Sequence, residues 1–213
     1  MAHMRTSRPA RRSAIIVLTV LLLAACGGGG GDATGQNSAL VTEPTGPGRL
    51  ERATALNVIA RADIVAATQA AGSRTRTLVP LYDVANHRIE YLTTDAQGRE
   101  IVASGLVSVP VKAAGARSPV FSYQHGTTFI DAEAPSNHAT ADEAAVILAS
   151  LGYIVVAPDY VGYGVSKGAP HPYLLAEPTA AATLDLLTAA QTWRRRQAVA
   201  DNGQLFLTGY SEG

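Results

Sequence analysis

Gly209-Tyr210-Ser211-Glu212-Gly213, carried on the apolar run Leu205-Phe206-Leu207, decides the reading of this chain. A G-x-S-x-G pattern that leaves a strand forms a sharp, strained turn, which lifts the serine hydroxyl clear of the backbone while the flanking glycines avoid side-chain clashes. Ser211 is therefore the expected nucleophile, and Gly209 and Gly213 are the expected glycines of its elbow. Attack on a carbonyl places negative charge on the former carbonyl oxygen, so backbone donors must be aimed at that point.

Working back from the elbow, apolar periodicity divides the chain into alternating elements. Pro178 suits the first turn of a helix whose face carries Leu186, Leu187, Ala190 and Trp193. Arg194-Arg195-Arg196 falls at its end, where cations complement the helix dipole, and reads as a solvated terminus. Tyr153 to Ala157 is apolar without alternation, as expected of a central parallel strand covered on both faces. Pro158-Asp159-Tyr160-Val161-Gly162-Tyr163-Gly164 leaves it as a glycine-rich loop, with Asp159 read as a turn cap. Tyr160 and Tyr163 either line a pocket or cover the sheet.

Thr140-Ala141-Asp142-Glu143 reads as a capping box before a helix carrying Ala144, Ile147, Leu148 and Leu151. Val120 to Tyr123 is a short strand ending in Gln124-His125-Gly126-Thr127-Thr128. Ile89 to Thr94 and Ile101 to Val109 read as a hairpin that opens the sheet, turning at Asp95 to Gly98 and ending at Pro110. Helical spacing of Leu56, Ile59, Ala60 and Ile64, with Gly72 as a stop, predicts a leading helix over 50–71. The later order of strand, helix, strand, helix, strand implies parallel crossover units in an open α/β sheet.

Three stretches together carry a family resemblance: Ser122-Tyr123-Gln124-His125-Gly126-Thr127-Thr128, Ala157 to Gly164, and the elbow itself. They resemble α/β-hydrolases, and more narrowly bacterial relatives of secretory lipases, from about Ile89 onward. The resemblance implies the N-terminal half of an α/β-hydrolase fold, a mostly parallel sheet with flanking helices, over 50–213. It implies an oxyanion hole built from the backbone N–H of Glu212 and of Thr127, with Gly126 as the alternative to Thr127. It also implies a serine-dependent carboxylic ester hydrolase acting through an acyl-enzyme, with a small-molecule or lipid ester as substrate and no cofactor or metal. A serine peptidase or acyltransferase on the same fold uses the same nucleophile and hole.

The triad acid and histidine follow the serine in this family's chain order. The expectation is therefore a chain that stops short of them and is inactive alone, the alternative being a non-catalytic truncated surface lipoprotein. His125 precedes the serine and reads as a residue that shapes its loop. His138 and His171 lie in polar, proline-containing loops and read as turn residues.

At the other end, Arg5, Arg8, Arg11 and Arg12 precede the apolar run from Ala14 to Ala25, too short to span a bilayer comfortably and of the form of a secretory signal. Leu23-Ala24-Ala25-Cys26 resembles the lipobox of bacterial lipoproteins, with residues 1–25 removed and Cys26 lipidated. Cys26 is the sole cysteine, so no intrachain disulfide is possible. Residues 26–49, rich in glycine and poor in apolar residues, read as a flexible tether from a membrane anchor. Export to the outer membrane of a Gram-negative host, or secretion, follows. Seventeen basic residues balance seventeen acidic ones, so no long-range field attracts nucleic acid and a small neutral substrate fits.

Overall fold

A computed structural model of the protein describes residues 42–70 and 72–213. The signal, Cys26 and most of the tether lie outside them. Six strands form one sheet: β1 (Leu50–Ile59), β2 (Val84–Thr94), β3 (Glu100–Pro110), β4 (Ser118–Gln124), β5 (Ile154–Pro158) and β6 (Asp201–Gly209), in the order β1-β2-β3-β5-β4-β6. Among the described residues, three α-helices accompany it: α1 (Arg61–Gln69), α2 (Ala144–Ser150) and α3 (Ala176–Arg196).

The expected helix over 50–71 is corrected. Its first half is β1, paired antiparallel with β2 through most of its length, and only Arg61–Gln69 is helical. Pairing overrode local spacing: Asn57 takes an amide hydrogen from Asn86 and donates to Ala139 O, tying the strand to its neighbours. The helix that follows has no cap of its own. Asp83 supplies one from another segment, accepting the Arg61 N–H at 2.7 Å. The hairpin is present as β2 and β3, longer at its start than the sequence suggested, but β1 precedes it and so it does not open the sheet.

The sheet is mixed, which corrects the mostly parallel reading. β1, β2, β3 and β5 pair antiparallel in succession, whereas β5, β4 and β6 are parallel. The unalternating run of β5 is explained by its two faces. Ile154 and Val156 pack with Leu186, Ala190 and Trp193 of α3, while Val155 and Ala157 pack with Ala145, Val146 and Ala149 of α2. Burying both faces of one strand anchors the parallel half at a few kcal/mol per large side chain.

Two local readings also change. α2 starts at Ala144, three residues later than a capping box on Thr140 implies, and no side chain caps it; Thr140 Oγ1 donates to Asp142 instead. At the end of α3, Arg194 is buried against Asp201 at 2.5 Å rather than solvated, and the arginine holds the Asp201 carboxyl below its ordinary range. Arg195 and Arg196 are exposed, and Arg196 pairs with Glu43. β6 lies at one edge of the described sheet, with Leu205, Phe206 and Leu207 exposed.

Candidate active site

Because β4, β5 and β6 run parallel, the loops that leave them gather at one edge, the place where open α/β sheets bind ligands. The loop after β6 is the elbow. Ser211 is exposed and sits at φ 56°, in the left-handed region that a non-glycine residue rarely occupies. Gly213 N–H closes the turn onto Tyr210 O at 3.1 Å, and Tyr210 N–H bonds Gln124 O at the end of β4 at 3.2 Å. A side chain at Gly209 would run into the carbonyl of Gly213, and one at Gly213 into Gln124. Glycine is required at both positions.

The loop after β4 comes directly onto this turn. A Cβ on Gly126 would stand 2.8 Å from Tyr210 Cδ1 and 3.2 Å from Tyr210 O, so only glycine lets the two loops approach this closely. Among the described residues, nothing accepts from the backbone N–H of Thr127 or of Glu212. Other groups of this loop hold it in place, though His125 Nε2 is buried without a partner among the described residues. His125 Nδ1 donates to Gly126 O at 2.8 Å, with its ring 4.6 Å from that of Tyr160. Tyr163 OH donates to Thr128 O at 2.5 Å, and Thr128 Oγ1 to Glu133 at 2.6 Å. Tyr160 and Tyr163 therefore brace the loop and are packed over the sheet end. Burial, and secondly the nearby Glu212 carboxylate, pushes both phenols above their ordinary range.

The loop after β5 holds the largest departure from the sequence reading. Asp159 is fully buried and is the centre of a network instead of a turn cap. Its carboxylate accepts from Ser104 Oγ on β3 at 2.5 Å, from Ser136 N–H at 2.8 Å and from Ser136 Oγ at 2.6 Å. Burial drives its carboxyl upward and these hydrogen bonds, with the more distant Arg88, act in the opposite sense.

His171 is corrected as well. It is not a free turn residue: Nδ1 lies 2.8 Å from Val161 O and Nε2 lies 2.8 Å from Glu212 Oε1. The residue after the nucleophile is thus held from a loop 41 positions earlier. Neither ring nitrogen is open to a serine proton. His138 stays in the turn after Ala134, as the sequence reading has it. No local spacing could have signalled Asp159 with Ser104 and Ser136, or His171 with Glu212, because each set is assembled only by the sheet.

Beside the elbow lies a cavity of about 400 Å³, walled by apolar side chains such as Leu174, Leu175 and Leu207 with Glu212 and Gly213 at its rim. A second cavity of about 370 Å³ opens at the opposite end of the parallel strands, where Ser118 and Ile154 begin β4 and β5. Only the first adjoins the elbow.

No family model and no curated protein sequence matches the chain. Solved structures do. A candidate hydrolase of Legionella pneumophila superposes with a TM-score of 0.69 at 32% identity, over 77% of this chain and 44% of that one. The rice cell wall degrading esterase LipA of Xanthomonas oryzae gives 0.68 at 29% identity, over 80% and 43%. The chain thus spans less than half the length of the proteins it resembles, and within that span it shares the α/β architecture of esterase structures.

Proposed function

We propose that the protein is a serine-dependent carboxylic ester hydrolase of the lipase and esterase type. The observation that carries this reading is Ser211, exposed at positive φ at the end of a parallel strand, with the Gly126 loop packed directly on its turn. Ser211 Oγ attacks the ester carbonyl, the alcohol leaves with a proton, and water releases the acyl group from the serine. Backbone N–H groups of Glu212 and Thr127, or Gly126 in place of Thr127, meet the charge that develops on the carbonyl oxygen. The resemblance to an esterase structure supports an ester as substrate.

His171 is committed at both ring nitrogens, while His125 precedes the serine and donates from Nδ1 to Gly126 O, its Nε2 buried without a partner among the described residues. We assign the base and its orienting acid to positions later in chain order than Ser211, in the part of the relatives' length that this chain does not span. The apolar cavity beside the elbow suits the acyl portion of the substrate. Lipidation at Cys26, with the tether carrying the domain from the membrane surface, completes the proposal, and an outer-membrane location applies if the host is Gram-negative.

The decisive experiment labels the full-length gene product with a fluorophosphonate and assays a short-chain chromogenic ester. Ser211 should carry the label, and Ser211→Ala should lose both label and turnover; a label on another serine overturns the assignment. Fractionation tests the anchor. Cys26→Ser should leave the membrane fraction, and a mature N-terminus downstream of an unmodified Cys26 would refute it.

A further inference from the structure

We propose that His171 is a positioning residue for the oxyanion hole: through one shared proton it fixes Glu212, whose backbone N–H is a donor of that hole. The inference rests on the ester hydrolase reading and deepens it at the same site.

A backbone carbonyl only accepts, so Nδ1 must carry the hydrogen that it donates to Val161 O. In a neutral imidazole Nε2 then holds a lone pair, yet it lies 2.8 Å from a carboxylate oxygen, which also only accepts when ionised. The contact exists only if a proton lies between Nε2 and Oε1, whichever atom it sits on. The alternative tautomer merely moves the conflict to Val161. Both bonds hold together only while the pair keeps that proton.

The surroundings make the link strict. The Glu212 side chain is 2% exposed and that of His171 16%, so water cannot replace the partner of the carboxylate. His171 is packed too closely to turn aside, with Gly162 against its backbone and the rings of Tyr160, Tyr163 and Tyr173 around its own. The titratable groups facing it are these three phenols and Glu212, with Asp131, held by Lys167, behind Tyr163. Tyr160 and Tyr163 are both pushed upward and remain neutral. Glu212 lies next to Ser211 in a turn that has no other side-chain tie among the described residues. Releasing it frees the donor to leave its aim.

Two amides separate this role from plain loop support. The amide nitrogen of glutamine reaches the place of Nε2, whereas that of asparagine reaches the place of Nδ1. His171→Gln keeps the donor to Glu212 and loses the one to Val161; His171→Asn does the reverse. In the full-length gene product His171→Asn should lower kcat roughly ten- to a hundredfold with KM little changed, and slow fluorophosphonate labelling of Ser211 in step. His171→Gln should stay within about threefold of the parent.

Equal kcat in the two variants would overturn the proposal and leave His171 as loop support. Should His171→Asn not fold, His171→Gln decides alone, because a fall in its kcat of about tenfold or more with KM unchanged overturns the proposal. If the parent protein is active and labelled at Ser211 when this happens, only the positioning role is lost. If the parent is neither labelled nor active, the ester hydrolase reading fails and this inference falls with it.

Discussion

Two buried carboxylates flank the same edge of the sheet and are held in opposite ways. Asp159 is surrounded by neutral donors, Ser104 and Ser136, and the nearest cation, Arg88, reaches it only through Ser136. Glu212 is held by one titratable ring. The Asp159 network clamps the loop after β5 through several neutral donors at once. The elbow's tie rests on that single ring. The difference separates a residue that secures the fold from one that adjusts the chemistry, although both are acids buried at the same end of the parallel strands.

Removing the proposed nucleophile gives the largest expected contrast between the two regions. Ser211→Ala should cut ester turnover by about 10⁴-fold or more while leaving the thermal midpoint nearly unchanged, because it deletes one exposed oxygen. Asp159→Ala should behave in the opposite manner. It leaves three buried donors without an acceptor, each at about 1–3 kcal/mol, so a loss of about 3 kcal/mol or more is expected. For a domain of this size that is roughly 6–12 °C in Tm. A drop of less than about 3 °C, measured by calorimetry on the full-length protein, would mean that Asp159 is not the clamp.

The contrast also marks what could be read from the chain beforehand. The elbow, β4, β5 and α3 were legible because each is a local pattern: a fixed motif, a short apolar run, or helical spacing that ends in a strand. Ser211 and its glycines stand where the motif placed them. The two carboxylate networks were not legible, since Ser104 and Asp159 lie 55 residues apart and are joined only when β3 pairs with β5. β1 was missed for a related reason. Leu56 and Ile59 do fit a helical stripe, but hydrogen bonding to β2 decides their conformation. The antiparallel half of the sheet was underestimated for the same cause, as strand direction is a property of pairing and not of the segment.

Two glycines in one loop sharpen the comparison at intermediate cost. Gly164 has φ 58° and a Cβ there would collide with Asp159 and Ser104, whereas Gly162 has φ 101° and a Cβ there would stand 2.8 Å from His171 Cβ. Gly164→Ala should therefore lower stability by about 1–3 kcal/mol and change kcat little at temperatures where the protein is folded. Gly162→Ala carries a similar backbone cost but displaces His171, so kcat should fall as well, by roughly tenfold. Finding the same kcat in both variants would erase the distinction between clamp and adjuster.

The smallest expected effect is a slope. Burial raises the folded-state carboxyl of Asp159 above its ordinary value of 3.8. Between that value and the raised one the folded chain binds more protons than the unfolded chain, so stability from this group is fully present below 3.8 and is lost as pH rises through the folded value. The amide introduced by Asp159→Asn cannot ionise, keeps an oxygen for Ser136 N–H, and removes this component while leaving the raised Glu143 and Asp185 untouched. Urea titrations of both proteins from about pH 3.5 to 6 should show the parent losing ground relative to the variant as pH increases. A gap that instead moves in the parent's favour would show that the clamp prefers its carboxylate form despite burial. Its hydrogen bonds from Ser104 and Ser136 would then outweigh the cost of burying its charge.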